Sequence, residues 1–454
     1  MTTAPPEKET GVIARHAGTV LVGQLATMAF SVTDTIVAGH YAEGALAALA
    51  VGAAIFISVY VSLMGVMQSL LPVWAELHGA ARTAEVGQSA RQSLYLCALA
   101  TLPGMAILLF PGALLSATQV PDAMRAEVER YLAVLAFALA PALLLRLFST
   151  LNQSLGHPKL VTWLQLGALL LKLPLSIWLT FGGAGVPAMG LVGCGVATLI
   201  VYWSMVGVAV WLLRTQTLYR QYRLWQRVEA PDWRQIAQFA RLGVPGGLAV
   251  LVEVTSFTLM ALFIARMGVA ATAAHQIVAN LVAVAYMVPL SLSIATSARV
   301  SFWLGAGDAV QAHRAVGKGI GLTLGLALLV ACAMAICRAP LVSLYSGNPD
   351  VLALAASLLL VTAIYHVFDA IQTLCVFVLR CYRVTVAPLA IYCTLLWGVG
   401  LGGSYLLAYR GLGSWPAWPS PLAFWAMAAG ALGLTAVLFV GLLWHAAARR
   451  RTGI

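Results

Sequence analysis

The sequence predicts an all-α integral membrane protein with twelve transmembrane helices, arranged as two pseudo-symmetric six-helix bundles around a central cavity. Of its 454 residues, 61% are hydrophobic and only 9% are charged, whereas soluble domains carry roughly 25% charged residues. A hydrocarbon core about 30 Å thick needs about 20 apolar residues per span, so the chain has room for a dozen spans. The two halves also match weakly at a shift of about 227 residues, which predicts the symmetry.

The predicted spans are apolar runs separated by charged residues or by clusters of Gly and Pro. In the first half they cover 13–39, 46–72, 92–116, 128–151, 160–181 and 190–213. In the second half they cover 236–266, 272–298, 317–344, 351–379, 386–409 and 421–445. We therefore expect an N-terminal bundle at 13–213, a linker at 214–235 and a C-terminal bundle at 236–445.

Basic residues predict which segments face the cytoplasm. The linker contains five arginines and only two acids, and the tail at 446–454 contains Arg449, Arg450 and Arg451. By the positive-inside rule both segments are cytoplasmic, which agrees with six spans between them. The tail at 1–12 is then cytoplasmic as well, and the absence of a small-residue cleavage site indicates that the first helix is retained. The concentration of basic residues in cytoplasmic segments accounts for the net charge of +11, so this charge does not require a nucleic-acid partner.

Three pairs of segments come into register between the halves. AGHYAEGALAA from Ala38 aligns with ARMGVAATAAH from Ala265, and GAGVPAMG from Gly183 aligns with GLGSWPAW from Gly411. The third pair, HGAARTAEVGQSAR and LGAGDAVQAHRAVGK, follows the second helix of each half. Because each half has an even number of spans, the repeats have the same topology and are related by an axis along the membrane normal.

Four charged residues stand out at mid-membrane depth within the predicted spans: Asp34 in helix one, Lys172 in helix five, Glu253 in helix seven and Asp369 in helix ten. A charge at the bilayer centre costs about 2.5–3.5 kcal/mol on insertion scales, so such residues face the protein interior and are candidates for function.

Glu253 precedes the end of its helix by about 20 Å at 1.5 Å per residue, which places it near the middle of the bilayer. Tyr365 and His366 share a helix face with Asp369, so both could hydrogen-bond to it. Glu253, Asp369 and Tyr365 together predict an oxygen-rich site that could hold Na⁺ or take up a proton. The alternative is that each acid only pairs with a neighbouring Arg or His.

Asp34 and Lys172 lie at compatible depths in the same half. They could form a structural buried salt bridge, or a gate in which a substrate cation or a proton competes with Lys172 for Asp34.

A cavity lined by acids and by aromatic or Met side chains would attract lipophilic cations through charge and cation–π contacts. Phe30, Phe257, Met260 and Met287 are the candidates for such a lining. Each of them could instead be a packing residue.

Other chemistry is not indicated. The seven cysteines are scattered and show no paired CxxC spacing, so they predict neither a metal centre nor a disulfide framework. No HExxH, GxSxG or Walker-type sequence occurs, so we expect neither an enzyme nor a cofactor. The energy for transport would then come from a gradient of H⁺ or Na⁺.

Six segments, in order along nearly the whole chain, resemble one known family. They are VTDTIVAG from Val32, GLVGCGVATLIVYW from Gly190, VPGGLAVLVEVTSF from Val244, TAAHQIVAN from Thr272, YHVFDAIQ from Tyr365 and LRCYRVT from Leu379. The family is the multidrug and toxic compound extrusion (MATE) transporters, in their NorM-like bacterial branch.

The resemblance implies a two-bundle protein of the bacterial inner membrane that works by alternating access, functions as a monomer and exports cationic drugs in exchange for H⁺ or Na⁺. In that family the residues matching Asp34, Glu253, Asp369 and Tyr365 serve ion coupling or cation binding. Two features depart from its pattern. Lys172 and Ser176 stand where asparagines are usual, and helix one has no proline between Gly11 and Gly39, which disfavours a proline-bent helix one.

Two other functions remain open from the sequence. A flippase for a lipid-linked precursor belongs to the same superfamily, but it should carry a basic cavity for pyrophosphate, whereas the four mid-membrane charged residues here are three acids and one lysine. A proton-conducting subunit of a respiratory complex could also contain membrane-embedded Lys and Glu, although the ordered series of motifs would not be expected of it.

Overall fold

The structure is a computed structural model that describes residues 9–117, 122–183, 185–411 and 416–452. The described residues are helical apart from turns, loops and one isolated bridge between Gly183 and Val186. Most of the predicted N-terminal tail at 1–12, and the last two residues of the predicted C-terminal tail, lie outside the described residues.

Within the described residues, twelve helices are long and apolar enough to cross a membrane, as the sequence predicts, and we number them α1–α12. In the first half they are α1 Glu9–Tyr41, α2 Glu43–Gln68 with a continuation at Leu71–Gly79, α3 Thr83–Leu109, α4 Asp122–Ser154, α5 Pro158–Phe181 and α6 Leu191–Thr215. In the second half they are α7 Trp233–Ala265, α8 Val269–Gly305, α9 Ala309–Ile336, α10 Pro349–Cys381, α11 Val386–Tyr409 and α12 Pro421–Thr452.

The third helix of each half begins earlier than the sequence pattern predicts. The expected starts at 92 and 317 are wrong, because the basic stretches before them continue the helix towards its N-terminus and begin at Thr83 and Ala309. Asp308 caps α9 by accepting a hydrogen bond from the backbone N–H of Gln311 at 2.9 Å, which satisfies a donor that the helix leaves unpaired. The third helix is therefore extended at its N-terminus in both halves.

The penultimate span, α11, is not a uniform α-helix. Residues Cys393–Gly402 form a π-helix between two α-helical segments. The π-helix contains three glycines, Gly398, Gly400 and Gly402, which have no side chains. π-Helical turns are rare and frequently lie at functional sites.

The chain divides into two compact units, and the division falls within α1 and within α7. The N-terminal unit is Val22–Gly247, and the C-terminal unit is Leu248–Ile454 together with the chain up to Leu21. Each unit has its own apolar core. The core of the N-terminal unit contains much of α2 and α4, and that of the C-terminal unit is built mainly from α8, α10 and α12.

The linker between α6 and α7 packs against the N-terminal unit. Tyr219, which is buried, donates a hydrogen bond from its hydroxyl to Oδ1 of Asn152 at 2.6 Å. The backbone carbonyl of Tyr222 lies so close to Gly87 that a Cβ there would stand 1.8 Å from it, so this contact requires glycine.

Candidate functional site

The C-terminal unit brings two of the predicted carboxyl groups together. Glu253 lies on α7 and Asp369 lies on α10, where it is 2% exposed. The two groups are near enough to interact electrostatically. Neither forms an ion pair with any Arg, Lys or His among the residues that the structure describes. The protein therefore places two interacting acids together with no basic group bonded to either, while the buried guanidinium of Arg380 interacts electrostatically with Glu253.

Asp369 is held by an amide rather than by the two side chains expected from the sequence. Nε2 of Gln372 donates a hydrogen bond to its Oδ1 at 2.9 Å, and the hydroxyl of Tyr392 on α11 donates to Oε1 of the same amide. Tyr365 and His366 make no such bond within the described structure. His366 is fully buried, and neither of its ring nitrogens has a hydrogen-bond partner in the described chain.

Three tyrosine hydroxyls surround the acid pair. Tyr286 on α8, Tyr365 on α10 and Tyr392 on α11 each interact electrostatically with both Glu253 and Asp369. The described residues contain no group of three or more His, Cys, Asp or Glu side chains that could hold a metal ion. A Na⁺ ion does not need such a group, because carboxylate, hydroxyl and amide oxygens are the ligands that hard cations prefer.

Tyr365 also belongs to an aromatic cluster that borders a cavity. Its ring meets Phe257 at 6.0 Å and Trp425 at 5.4 Å between centroids, both nearly edge to face. The cavity lies within the C-terminal unit, and its lining includes Phe257, Met260, Tyr365, Ser256 and Ser404. Two of the four predicted lining residues therefore share one cavity with a predicted ion-site residue.

The other two predicted lining residues lie elsewhere. Phe30 is buried in the N-terminal unit, where it packs against Ala168, Val201 and Met205. Met287 is half-buried on α8 and is not part of the lining of the cavity beside Tyr365.

The N-terminal unit holds the remaining predicted acid in a different setting. Nζ of Lys172 lies 2.7 Å from Oδ1 of Asp34, and this lysine side chain is fully buried. The same ammonium donates to Oγ1 of Thr198 at 2.6 Å and to the backbone carbonyl of Cys194 at 3.1 Å. Ser176 donates from its hydroxyl to Oδ1 of Asp34 at 3.3 Å. The acid therefore has its counter-ion within the fold.

Sequence reasoning missed several members of both sites. Gln372 could have been found, because it lies three residues after Asp369 and so on the same helix face. Tyr286, Tyr392 and Thr198 had no such signal, since each comes from a different helix and only the packing of helices brings it near an acid.

Twelve apolar helices in the described residues define a multi-pass membrane protein, and acids embedded in such helices are typical of transporters. The MatE family profile matches residues 20–178 and 245–406, which is more than half of the chain. The chain belongs to the MatE family, and its similarities place it among the NorM-like members. Proteins of this family are transporters and not enzymes.

Relatives of similar length share much of the sequence. A probable multidrug resistance protein NorM of Aromatoleum aromaticum is 38% identical over 95% of this chain and 93% of its own. A multidrug resistance protein NorM of Aliivibrio fischeri is 33% identical over 96% of this chain and 95% of its own. A multidrug resistance protein MdtK of Klebsiella pneumoniae is 32% identical over 86% of this chain and 85% of its own.

Solved structures share the fold. A crystal structure of the Vibrio cholerae MATE transporter VcmN superposes with a TM-score of 0.86 at 18% identity and covers 98% of both chains. The eukaryotic MATE transporter AtDTX14 gives a TM-score of 0.82 at 21% identity over 97% of this chain and 98% of its own.

Proposed function

We propose that this protein is a secondary active antiporter that exports lipophilic or cationic drugs from the cytoplasm in exchange for H⁺ or Na⁺. The names of the NorM and MdtK relatives support drug export. The observation that carries ion coupling is the pair of interacting acids, the half-buried Glu253 and the buried Asp369, neither of which is ion-paired among the described residues.

The proposed coupling ion binds at Glu253, Asp369 and Tyr365. Two charged carboxylates side by side in a site of low dielectric repel each other strongly, and either a proton or Na⁺ relieves that repulsion. A site that is empty of cations is therefore unstable when both acids are charged. Uptake of an ion from one side of the membrane and its release on the other can then drive a change between two states.

The proposed drug site borders the cavity beside Tyr365, whose volume of about 40 Å³ would have to increase before an organic cation could enter it. Phe257 and Met260 offer apolar contact, and the aromatic rings offer faces to an organic cation. Such a cation would compete for the negative charge of the nearby acids, which would couple its release to binding of the ion. We propose two bundles at 13–213 and 236–445 working by alternating access, and a position in the bacterial inner membrane with both termini in the cytoplasm.

The test is ethidium efflux from proteoliposomes under an imposed pH gradient or an imposed Na⁺ gradient, with rates normalised to folded protein. We expect Glu253→Gln and Asp369→Asn each to reduce gradient-driven efflux at least about tenfold, a loss of about 1.4 kcal/mol or more. The gradient that drives the wild type identifies the ion.

Two controls accompany this experiment. Glu127→Gln changes a half-buried acid near the start of α4 and should leave efflux unchanged. The double variant Asp34→Asn/Lys172→Met removes the N-terminal pair as a neutral unit and should retain gradient-driven efflux. If this double variant loses coupling while Glu253→Gln and Asp369→Asn keep it, the coupling site has been assigned to the wrong unit.

A further inference from the structure

One buried arginine of the N-terminal unit has no acid beside it. Three arginines are buried in the described part of the chain: Arg91, Arg146 and Arg380. Arg91 bonds to the carboxylate of Glu229, and Arg380 interacts electrostatically with Glu253. Arg146, on α4, forms no ion pair with any of the described residues. It therefore differs from the other two in carrying a buried positive charge without an acidic partner in the described chain.

The fold satisfies only part of this guanidinium, which keeps its charge in proteins and carries five N–H donors. Nη2 of Arg146 donates to Oε1 of Gln68, the last residue of α2, at 2.6 Å. Its Nε is buried and has no acceptor among the described residues. The titratable group that interacts with it is the hydroxyl of Tyr60, which is neutral at pH 7. Because a buried charge without a counter-ion is costly, an anion beside Arg146 would stabilise the fold.

Two neighbouring side chains add donors that also have no acceptor in the described chain. The amide of Gln68, which is 4% exposed, accepts from Arg146 through Oε1 but leaves its Nε2 unpaired. Thr150 lies four residues after Arg146 and so on the same face of α4. It is fully buried, and its hydroxyl is unpaired as well. Three unmet donors therefore lie beside one positive charge, and such donors form their strongest hydrogen bonds with an anion.

We propose that Arg146, Gln68 and Thr150 form a binding site for chloride in the N-terminal unit. The anion accepts hydrogen bonds from Nε of Arg146, Nε2 of Gln68 and the hydroxyl of Thr150, and it neutralises the guanidinium. Because all three side chains are buried, the site favours an anion of one atom over a phosphate or an organic carboxylate. The bound chloride joins the end of α2 to α4, and its binding does not depend on the proposed antiport.

The first experiment measures thermal unfolding of the purified protein in detergent while chloride replaces gluconate at constant ionic strength. A ligand that binds only the folded state stabilises it with the logarithm of the ligand concentration above half-saturation. Over an about hundredfold range of chloride we expect the thermal midpoint of the wild type to rise by about 2 °C or more. Arg146→Met removes the charge and keeps an unbranched side chain, so it should lose this rise.

Two further variants and a second measurement locate the effect. Arg130→Met is the matched control, because it removes an exposed arginine from the same helix and should keep the full response to chloride. Thr150→Val removes one donor and should raise the chloride concentration for half of the response about fivefold. Crystals grown with bromide in place of chloride locate the ion by anomalous scattering, and we expect a peak beside the guanidinium of Arg146.

The proposal is overturned if chloride raises the thermal midpoint of Arg146→Met as much as that of the wild type, because the salt then acts elsewhere on the protein. It is also overturned if the bromide crystals show no peak beside Arg146, since water then satisfies the unmet donors. Should Arg146→Met fail to fold, Thr150→Val decides in its place, and a chloride response equal to that of the wild type overturns the proposal.

Discussion

The two units treat their buried acids in opposite ways. In the N-terminal unit Asp34 is neutralised by Lys172 at 2.7 Å, so the pair carries no net charge. In the C-terminal unit Glu253 and Asp369 interact with each other, the hydrogen-bonded partner of Asp369 is the neutral amide of Gln372, and Arg380 acts on Glu253 without an ion-pair contact. On the proposed function, an ion from solution has less to neutralise at an acid that is bonded to a lysine than at two interacting acids without an ion-paired partner.

The difference follows the repeat. Asp34 and Glu253 lie on the first helix of their respective halves, α1 and α7. The fifth helix of the first half supplies Lys172, whereas its counterpart α11 contains no charged residue between Val386 and Tyr409. Instead, α10 supplies a second acid and α11 supplies the hydroxyl of Tyr392. Equivalent helices therefore hold an ion pair in the first half and two acids without an ion-paired partner in the second half.

The largest expected effect tests whether the two carboxylates differ as described. Asp34→Asn should lower the free energy of unfolding by about 3–5 kcal/mol, because it leaves the buried ammonium of Lys172 without a counter-charge. Asp369→Asn should cause no loss or a small gain, because it removes one of two like charges and its amide oxygen can still accept from Gln372. The measurement is denaturant unfolding in detergent micelles.

The double variant Asp34→Asn/Lys172→Met tests whether the stability lost in Asp34→Asn comes from the unpaired ammonium or from altered packing. It should recover most of the stability lost in Asp34→Asn, since neutral pairs of similar volume often replace buried ion pairs without cost. Equal losses in Asp34→Asn and Asp369→Asn would remove the distinction between the two units.

Much of the fold could be predicted from the sequence, because lipid imposes long apolar helices and leaves few alternatives. All twelve spans are present in the described structure, but the starts of α3 and α9 were misplaced because basic amphipathic residues there continue the helix into what sequence patterns mark as a loop. The π-helix in α11 had no signal beyond its glycines.

The candidate sites were predictable only in part. Charge within apolar runs pointed to Asp34, Lys172, Glu253 and Asp369, since such residues are costly in a membrane. Thr198, which bonds to Lys172, and Tyr392, which bonds to the Gln372 amide that holds Asp369, lie on other helices, so their positions depend on helix packing that sequence spacing does not encode. The bond expected from Tyr365 to Asp369 is instead made by Gln372.

A smaller effect on stability and transport is expected from the hydroxyl of Tyr392, which bonds to the amide that holds Asp369. Tyr392→Phe removes the donor to Gln372 and should cost about 1 kcal/mol of stability. Because Gln372 in turn positions Asp369, the ion concentration for half-maximal transport should rise about fivefold, which corresponds to about 1 kcal/mol. Tyr405→Phe on the same helix is the control. If Tyr405→Phe has an equal effect, the hydroxyl of Tyr392 has no special part in the site.

The smallest effect comes from an ion pair between α3 and the linker, which sets a baseline for the buried pair of Asp34 and Lys172. Arg91 bonds to Glu229, a carboxylate of the linker that is 39% exposed, and lowers its pKa from 4.5 to about 2. A lowered pKa stabilises the fold above pH 4.5, and this contribution is lost as the pH falls towards 2. Solvent reaches the Glu229 side of the pair and screens it in part, so Glu229→Gln should cost only about 1 kcal/mol at pH 7. The difference between wild type and variant should shrink as the pH falls from 5 to 3 in thermal unfolding experiments. If Glu229→Gln costs as much as Asp34→Asn, burial does not account for the greater effect expected at Lys172.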